Sequence, residues 1–181
     1  MHVACFLLDH TKGRHYEREC CSCINRGRLR RSSASETAVA QTLATHRIPA
    51  ALALEAVGAA VAACAKEGYA ETAVLVDADG VRQAVLRGDW AGPHTLDSAF
   101  DKAYTSASFK SDTVALVERA KTVPIAPLLA KLPNLLLFGG GVVIKIDSEV
   151  IGAIGAAGAP GGDLDENCAR AGLEKIRARL R

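Results

Sequence analysis

The side chains best suited to chemistry gather on one stretch of this sequence. Ser98, Lys102 four residues later and Thr105 three beyond that share one face of a helix, while Asp97 and Asp101 share the adjacent face. A lysine set among carboxylates acts as an acid, a base or an electrostatic anchor when burial lowers its pKa; in water the same group is an ordinary surface ion pair. Just upstream, Arg87-Gly88-Asp89-Trp90 closes a hairpin, so charge and an aromatic ring converge at one rim. Gly139-Gly140-Gly141 allows two readings, a tight turn entering a strand or a backbone that comes close to an anion or planar ligand. Arg87, Asp97, Asp101, Lys102 and these three glycines are the candidate ligand-binding set, with Lys102 the candidate catalytic group. Gly161-Gly162 precedes a helix start, but Asp163 competes with any anion there and favours simple capping.

A second cluster lies near the N-terminus. His2, Cys5, His10 and His15 precede Cys20 and Cys23, whose two-residue spacing suits a pair of thiolates on one zinc ion. Arg26-Gly27-Arg28-Leu29-Arg30-Arg31 and Ser32-Ser33-Ala34-Ser35 come next, which is linker composition and supplies no second ligand pair. Residues 1–47 therefore read as a basic, disordered arm. Cys20 and Cys23 are its metal candidates, and Glu17 and Glu19 argue against a targeting helix.

Charge divides the chain at the same place. Of 22 basic and 20 acidic residues, eight and four fall in positions 1–47, leaving an arm of +4 and a body of −2. A net +2 is too balanced for a nucleic-acid or membrane-surface binder. At 181 residues there is room for one domain, and its apolar content is carried largely by alanine, which implies closely packed backbones. There is no signal-like leader and no apolar run long enough to span a bilayer. Four of the six cysteines crowd into the first 23 residues, whereas a secreted disulfide scaffold would spread them. The expected compartment is the cytoplasm. P-loop, dinucleotide-binding and nucleophile-elbow motifs are all absent.

The elements that must position the polar face are read from periodicity. Pro49 opens a helix whose stripe is Leu54, Val57, Val61 and Cys64, and Gly68 stops it. Ala73 to Val76 and Val81 to Leu86 flank Asp77-Ala78-Asp79-Gly80 as an antiparallel hairpin. Thr95 is the expected N-cap of a helix to Phe109; a shorter helix covers Thr113 to Arg119, and prolines break the next segment down to a turn near Leu128. Val142 to Ile146 and Val150 to Gly155 form a second hairpin. Gly152, Gly155 and Gly158 imply that a backbone or ligand comes close there. Asp163 with Glu166 resembles a capping box, opening a final helix with the stripe Ala169, Leu173, Ile176 and Leu180. Two antiparallel hairpins among helices make an α+β fold, an α/β/α sandwich.

Val76-Asp77-Ala78-Asp79-Gly80, Asp101-Lys102-Ala103-Tyr104-Thr105-Ser106-Ala107, Gly139-Gly140-Gly141-Val142 and Val150-Ile151-Gly152-Ala153-Ile154-Gly155 together resemble the GlcG/HbpS-type haem-binding family, which is related to the C-terminal domain of PduO-type proteins. The resemblance runs from about Ile48 to Leu180. It implies a profilin-like antiparallel sheet flanked by helices over 48–181, a homo-oligomer, and a small ligand, with haem or a related tetrapyrrole foremost. Haem degradation, iron-linked sensing or a catabolic accessory role would be implied with it. His46 and His94, each before a helix, are the candidate iron ligands. The sequence departs from the family at Gly88 and Trp90, where an apolar residue and a glycine are more usual, and at Ser148, which replaces a turn glycine. The alternatives are an enzyme of small-molecule catabolism using Lys102 with its carboxylates, and a metal or redox module in the arm.

Overall fold

The computed structural model describes residues 43–181, so residues 1–42 of the arm, Cys20 and Cys23 among them, lie outside the described residues. Helix α1 (Ala50–Lys66) leads into strands β1 (Thr72–Asp77) and β2 (Arg82–Arg87), then helices α2 (Thr95–Phe109), α3 (Thr113–Ala120) and the single turn α4 (Ala126–Leu129). Strands β3 (Gly141–Ile146) and β4 (Glu149–Ala157) and helix α5 (Gly162–Arg177) complete the chain. All strand pairs are antiparallel, in the order β2-β1-β4-β3. The expected α+β architecture is present, and no described helix is long and apolar enough to cross a membrane.

Alternation along the strands builds two cores. Ala73 and Leu75 of β1, with Ile144, Ile154 and Ala156, face α1 and α5. Val74, Val76, Ala153 and Ala157 point to the other side and meet Ala99, Phe100 and Ala103 of α2. The first interface is built on alanine: Ala53, Ala56, Val57, Ala60 and Cys64 form the buried face of α1, whereas Leu54 from the expected stripe is 63% exposed. Small side chains let the helices sit close to the sheet. At Gly155 the approach of α2 is so tight that a Cβ would overlap the Ala99 carbonyl and lie 2.7 Å from Ala103 N. The visitor implied by the β4 glycines is backbone here.

Three local expectations are corrected. Thr95 is the first helical residue and not the N-cap; its Oγ1 donates to the Gly92 carbonyl at 2.6 Å and meets Thr72 Oγ1 at 2.6 Å, fixing α2 to β1. Asp163 and Glu166 form no capping box, because Gly161 caps α5 and Glu166 instead accepts from Val114 N at 3.0 Å, tying α5 to α3. Cys64 and Cys168 form a disulfide between α1 and α5, although the cysteine distribution speaks against such a framework.

Candidate functional site

Lys102 and the three glycines do come together, but the space between them is filled by the protein itself. Lys102 is 2% exposed; its Nζ lies 2.5 Å from Asp165 Oδ2 and donates to the Ala156 carbonyl at 3.1 Å. Gly139, Gly140 and Gly141 are all buried, with Gly139 packed against Gly162. Gly140 has φ +124, a conformation that excludes most side chains, and a Cβ there would stand 2.9 Å from Lys102 Cδ and 2.8 Å from Asp165 Cβ. The triple glycine thus seats the chain's own lysine. Clamped this way the lysine joins two elements of the fold, and the pocket expected for a ligand beside Lys102 is corrected to a packed ion pair.

Sequence reasoning overlooked the third member of this buried cluster. Glu71, 1% exposed, leaves Oε1 without a hydrogen-bond partner among the described residues. Burial first, and then the nearby Asp165 carboxylate, push its pKa up to about 8, against a smaller opposing pull from Lys102. At neutral pH Glu71 is therefore mainly a neutral acid, and Lys102 and Asp165 balance one another. A glutamate just before a strand carries no sequence signal of this; only the packing of β1 against α1 and α5 reveals it.

The accessible candidates sit along the β2 edge of the sheet. Register places them: Val85 pairs with Val74 and Arg87 with Thr72, while a bulge between Leu75 and Val76 sets Arg82 opposite Val76. Arg82, Val85 and Arg87 thereby share the α2 side of an edge strand. Val85 remains 43% exposed there, since β2 lies beyond the cover of α2. Arg82 lays its guanidinium 3.4 Å from the centroid of the Phe100 ring and within 4.0 Å of Asp97. Asp101 is half-buried on the same helix, its pKa raised by desolvation and then by Asp97.

The loop that ends this strip is well braced. Arg87 folds back on it, with Nε donating to the Ala91 carbonyl at 2.7 Å and Nη2 reaching the same oxygen. Ala91 N returns to the Gly88 carbonyl at 3.2 Å. The brace holds Trp90 at φ +66, a conformation that glycine adopts far more easily, with the indole 95% exposed. His94 is exposed at the start of α2, and its ring makes no hydrogen bond among the described residues. Leu96 adds a further exposed apolar side chain. The α2 side of the β2 edge thus presents Val85 between Arg82 and Arg87, and the exposed Trp90, His94 and Leu96 follow in the chain beyond the strand.

His46 is placed differently. Its Nδ1 is 2.6 Å from Glu149 Oε2 and its backbone N donates to Oε1 at 3.0 Å, so it fastens the chain entering α1 to the β3–β4 turn. Asp77 and Asp79 lie beside it, and Arg47 pairs with both, at 3.9 Å and 3.8 Å, so this corner is occupied by the chain's own ion pairs. Among the described residues there is no cluster of three metal-ligating side chains.

The family model described as haem degrading protein HbpS-like matches residues 48–174. A double mutant of HbpS from Streptomyces reticuli is 37% identical with a TM-score of 0.70, over 75% of this chain and 91% of that one. Protein ORFY of Klebsiella pneumoniae shares the fold at 23% identity, with a TM-score of 0.72 over 79% of this chain and 99% of its own. PduOC, solved as a haem complex, does so at 22% identity and a TM-score of 0.67, over 72% and 96%. No curated protein matches the chain.

Proposed function

Since the chain belongs to the HbpS-like family, we propose that it binds haem or a related tetrapyrrole along the β2 edge, with His94 as the iron ligand. The observation that carries this reading is the amphipathic strip itself. A porphyrin is a flat apolar plate with two carboxylates on one rim, and Arg82, Val85 and Arg87 offer apolar surface between two guanidinium groups. His94 offers an exposed imidazole without a competing ring partner among the described residues, and the exposed Trp90 indole stands four residues before it in the chain. His46, whose ring Nδ1 is already engaged by Glu149, is the less suited ligand.

Bound haem would supply a redox-active iron; Val85 would support the plate, Arg82 and Arg87 would neutralise its carboxylates, and His94 would hold the iron. That chemistry would serve haem degradation or an iron-linked signal. In this reading the chain works in the cytoplasm as a homo-oligomer, whose subunit contacts cover exposed apolar side chains such as Ile125, Leu128 and Leu132. Titration of the purified protein with haemin tests the proposal. A Soret shift at micromolar haemin that survives His46→Ala and is lost in His94→Ala supports it; no shift, or loss in His46→Ala alone, overturns it.

A further inference from the structure

A reactive group with no part in haem binding lies on the other face of the sheet. Cys64 is fully buried on α1, and Cys168 on α5 lines a cavity of about 300 Å³ together with Ala63, Glu67, Tyr69, Leu164 and Asn167. Of the two cysteines of the disulfide, only Cys168 lines this space. Behind the other, Cys64 Sγ lies 3.2 Å from Glu71 Oε2. A sulfur in a disulfide carries no hydrogen, so the proton in that contact belongs to the carboxyl, whose second oxygen is otherwise unpartnered among the described residues.

We propose that Cys64–Cys168 is a thiol–disulfide exchange site that takes a dithiol reductant through the cavity at Cys168, with Glu71 as the acid that protonates departing Cys64. A thiolate of the reductant attacks Cys168 Sγ and forms a mixed disulfide. The Cys64–Cys168 bond breaks, and its electron pair leaves on Cys64, which takes the proton of Glu71. The reductant's second thiolate then closes on its own sulfur, and Cys168 departs as a thiolate that is protonated by water in the cavity. Glu71 regains its proton from solvent. The protein gains two electrons and two protons, and the dithiol becomes a disulfide.

The geometry assigns these roles. A buried thiolate is a poor leaving group without a proton donor, and Glu71 is the acid within reach of Cys64. The groups facing Glu71 are Asp165 of α5, Lys102 of α2 and Cys64 of α1, and of these Lys102 and Asp165 are already committed to one another. Glu67 at the cavity favours a neutral dithiol over an anionic one.

The test uses the full chain and differential alkylation, read peptide by peptide so that the arm cysteines do not interfere. With dithiothreitol at pH about 7, Cys64 and Cys168 should become alkylatable while circular dichroism and cooperative unfolding persist. Glu71→Gln should slow the reaction about tenfold or more at that pH, and the ratio of wild-type to variant rates should shrink toward one above pH about 8. Asn167→Trp, an exposed position on the cavity, should slow both proteins and leave the ratio unchanged. If Glu71→Gln fails to fold, the wild-type rate divided by the reductant's thiolate fraction still decides, since it should fall through pH about 8. Reduction only after unfolding, or a pH-independent corrected rate, overturns the proposal.

Discussion

Lys102 and Asp165 face one another across 2.5 Å with neither side chain open to water, and Asp165 Oδ1 also accepts from Ala159 N at 2.9 Å. The pair ties α2 to α5 past the end of β4, where the Lys102 ammonium also meets the Ala156 carbonyl. The charges are committed to holding two helices on opposite faces of one sheet, and that commitment dictates how each responds to change.

Lys102→Met should destabilise the domain by about 3–5 kcal/mol, since it strands a buried carboxylate. Replacing both partners, as Lys102→Met with Asp165→Asn, should cost less than Lys102→Met alone, because no lone charge is left behind. Urea unfolding of the two variants gives the comparison directly; a double variant less stable than the single one would refute the account.

Glu71 gives the fold a pH dependence of unusual sign. Its folded-state pKa of about 8 lies above its ordinary value of 4.5, so between those values the folded state binds more protons than the unfolded one. Stability contributed by the neutral acid is fully present below pH 4.5, declines as pH rises and is gone once pH passes the folded value. The shift corresponds to several kcal/mol in order of magnitude. Glu71→Gln should flatten this slope, so that the variant gains on wild type between pH about 5 and about 9. Urea midpoints that run parallel for the two proteins across that range would contradict it.

Much of this architecture is legible from periodicity and turn chemistry. The Asp77 to Gly80 turn behaves as its residues demand, with Asp77 Oδ1 accepting from Asp79 N at 3.0 Å and Val81 N at 2.9 Å. Helix α2 spans Thr95–Phe109, as its apolar spacing implies. What escapes is whatever depends on how elements dock. Lys102 and Asp165 are 63 residues apart, and nothing local says that the helical polar face turns inward to meet a second helix. The same holds for Cys64 and Cys168, whose separation of 104 residues hides a bond that each helical pattern merely tolerates. Nor does the sequence show the bulge between Leu75 and Val76 that sets Arg82, with Val85 and Arg87, on the α2 side of β2.

Two glycines separate close packing from mere flexibility. Gly155→Ala should cost several kcal/mol or block folding, because a methyl group would have to displace the α2 backbone at Ala99 and Ala103. Gly58→Ala lies in the middle of α1 with nothing within 4 Å of the added carbon, so it should stabilise by about 0.5–1 kcal/mol through helix propensity and the unfolded chain. Thermal melts of the two proteins should move in opposite directions; equal destabilisation would show that the second site is tighter than its geometry indicates.

The β2 edge carries its own reporter, as Trp90 is the chain's one tryptophan. Haemin seated against the loop should quench its fluorescence with the same concentration dependence as the Soret change. Arg82→Ala and Arg87→Ala should each weaken binding by about tenfold if the carboxylates of the macrocycle rest on these guanidinium groups, the size expected for losing one charge-assisted hydrogen bond. Arg87→Ala also removes the brace on Ala91, so its loop must be checked separately, and Arg87→Lys serves for that. Lysine keeps the charge but not the planar fork, and a partial recovery of affinity with Trp90 still exposed would assign the effect to charge. The esterified dimethyl form of haemin removes the carboxylate charge from the other partner. Wild type should bind it about a hundredfold more weakly than haemin, since both carboxylate contacts are lost, and each single arginine variant about tenfold more weakly than it binds haemin. Equal affinity of wild type for the two macrocycles would mean that neither arginine meets a carboxylate, and the plate would have to lie elsewhere on the molecule.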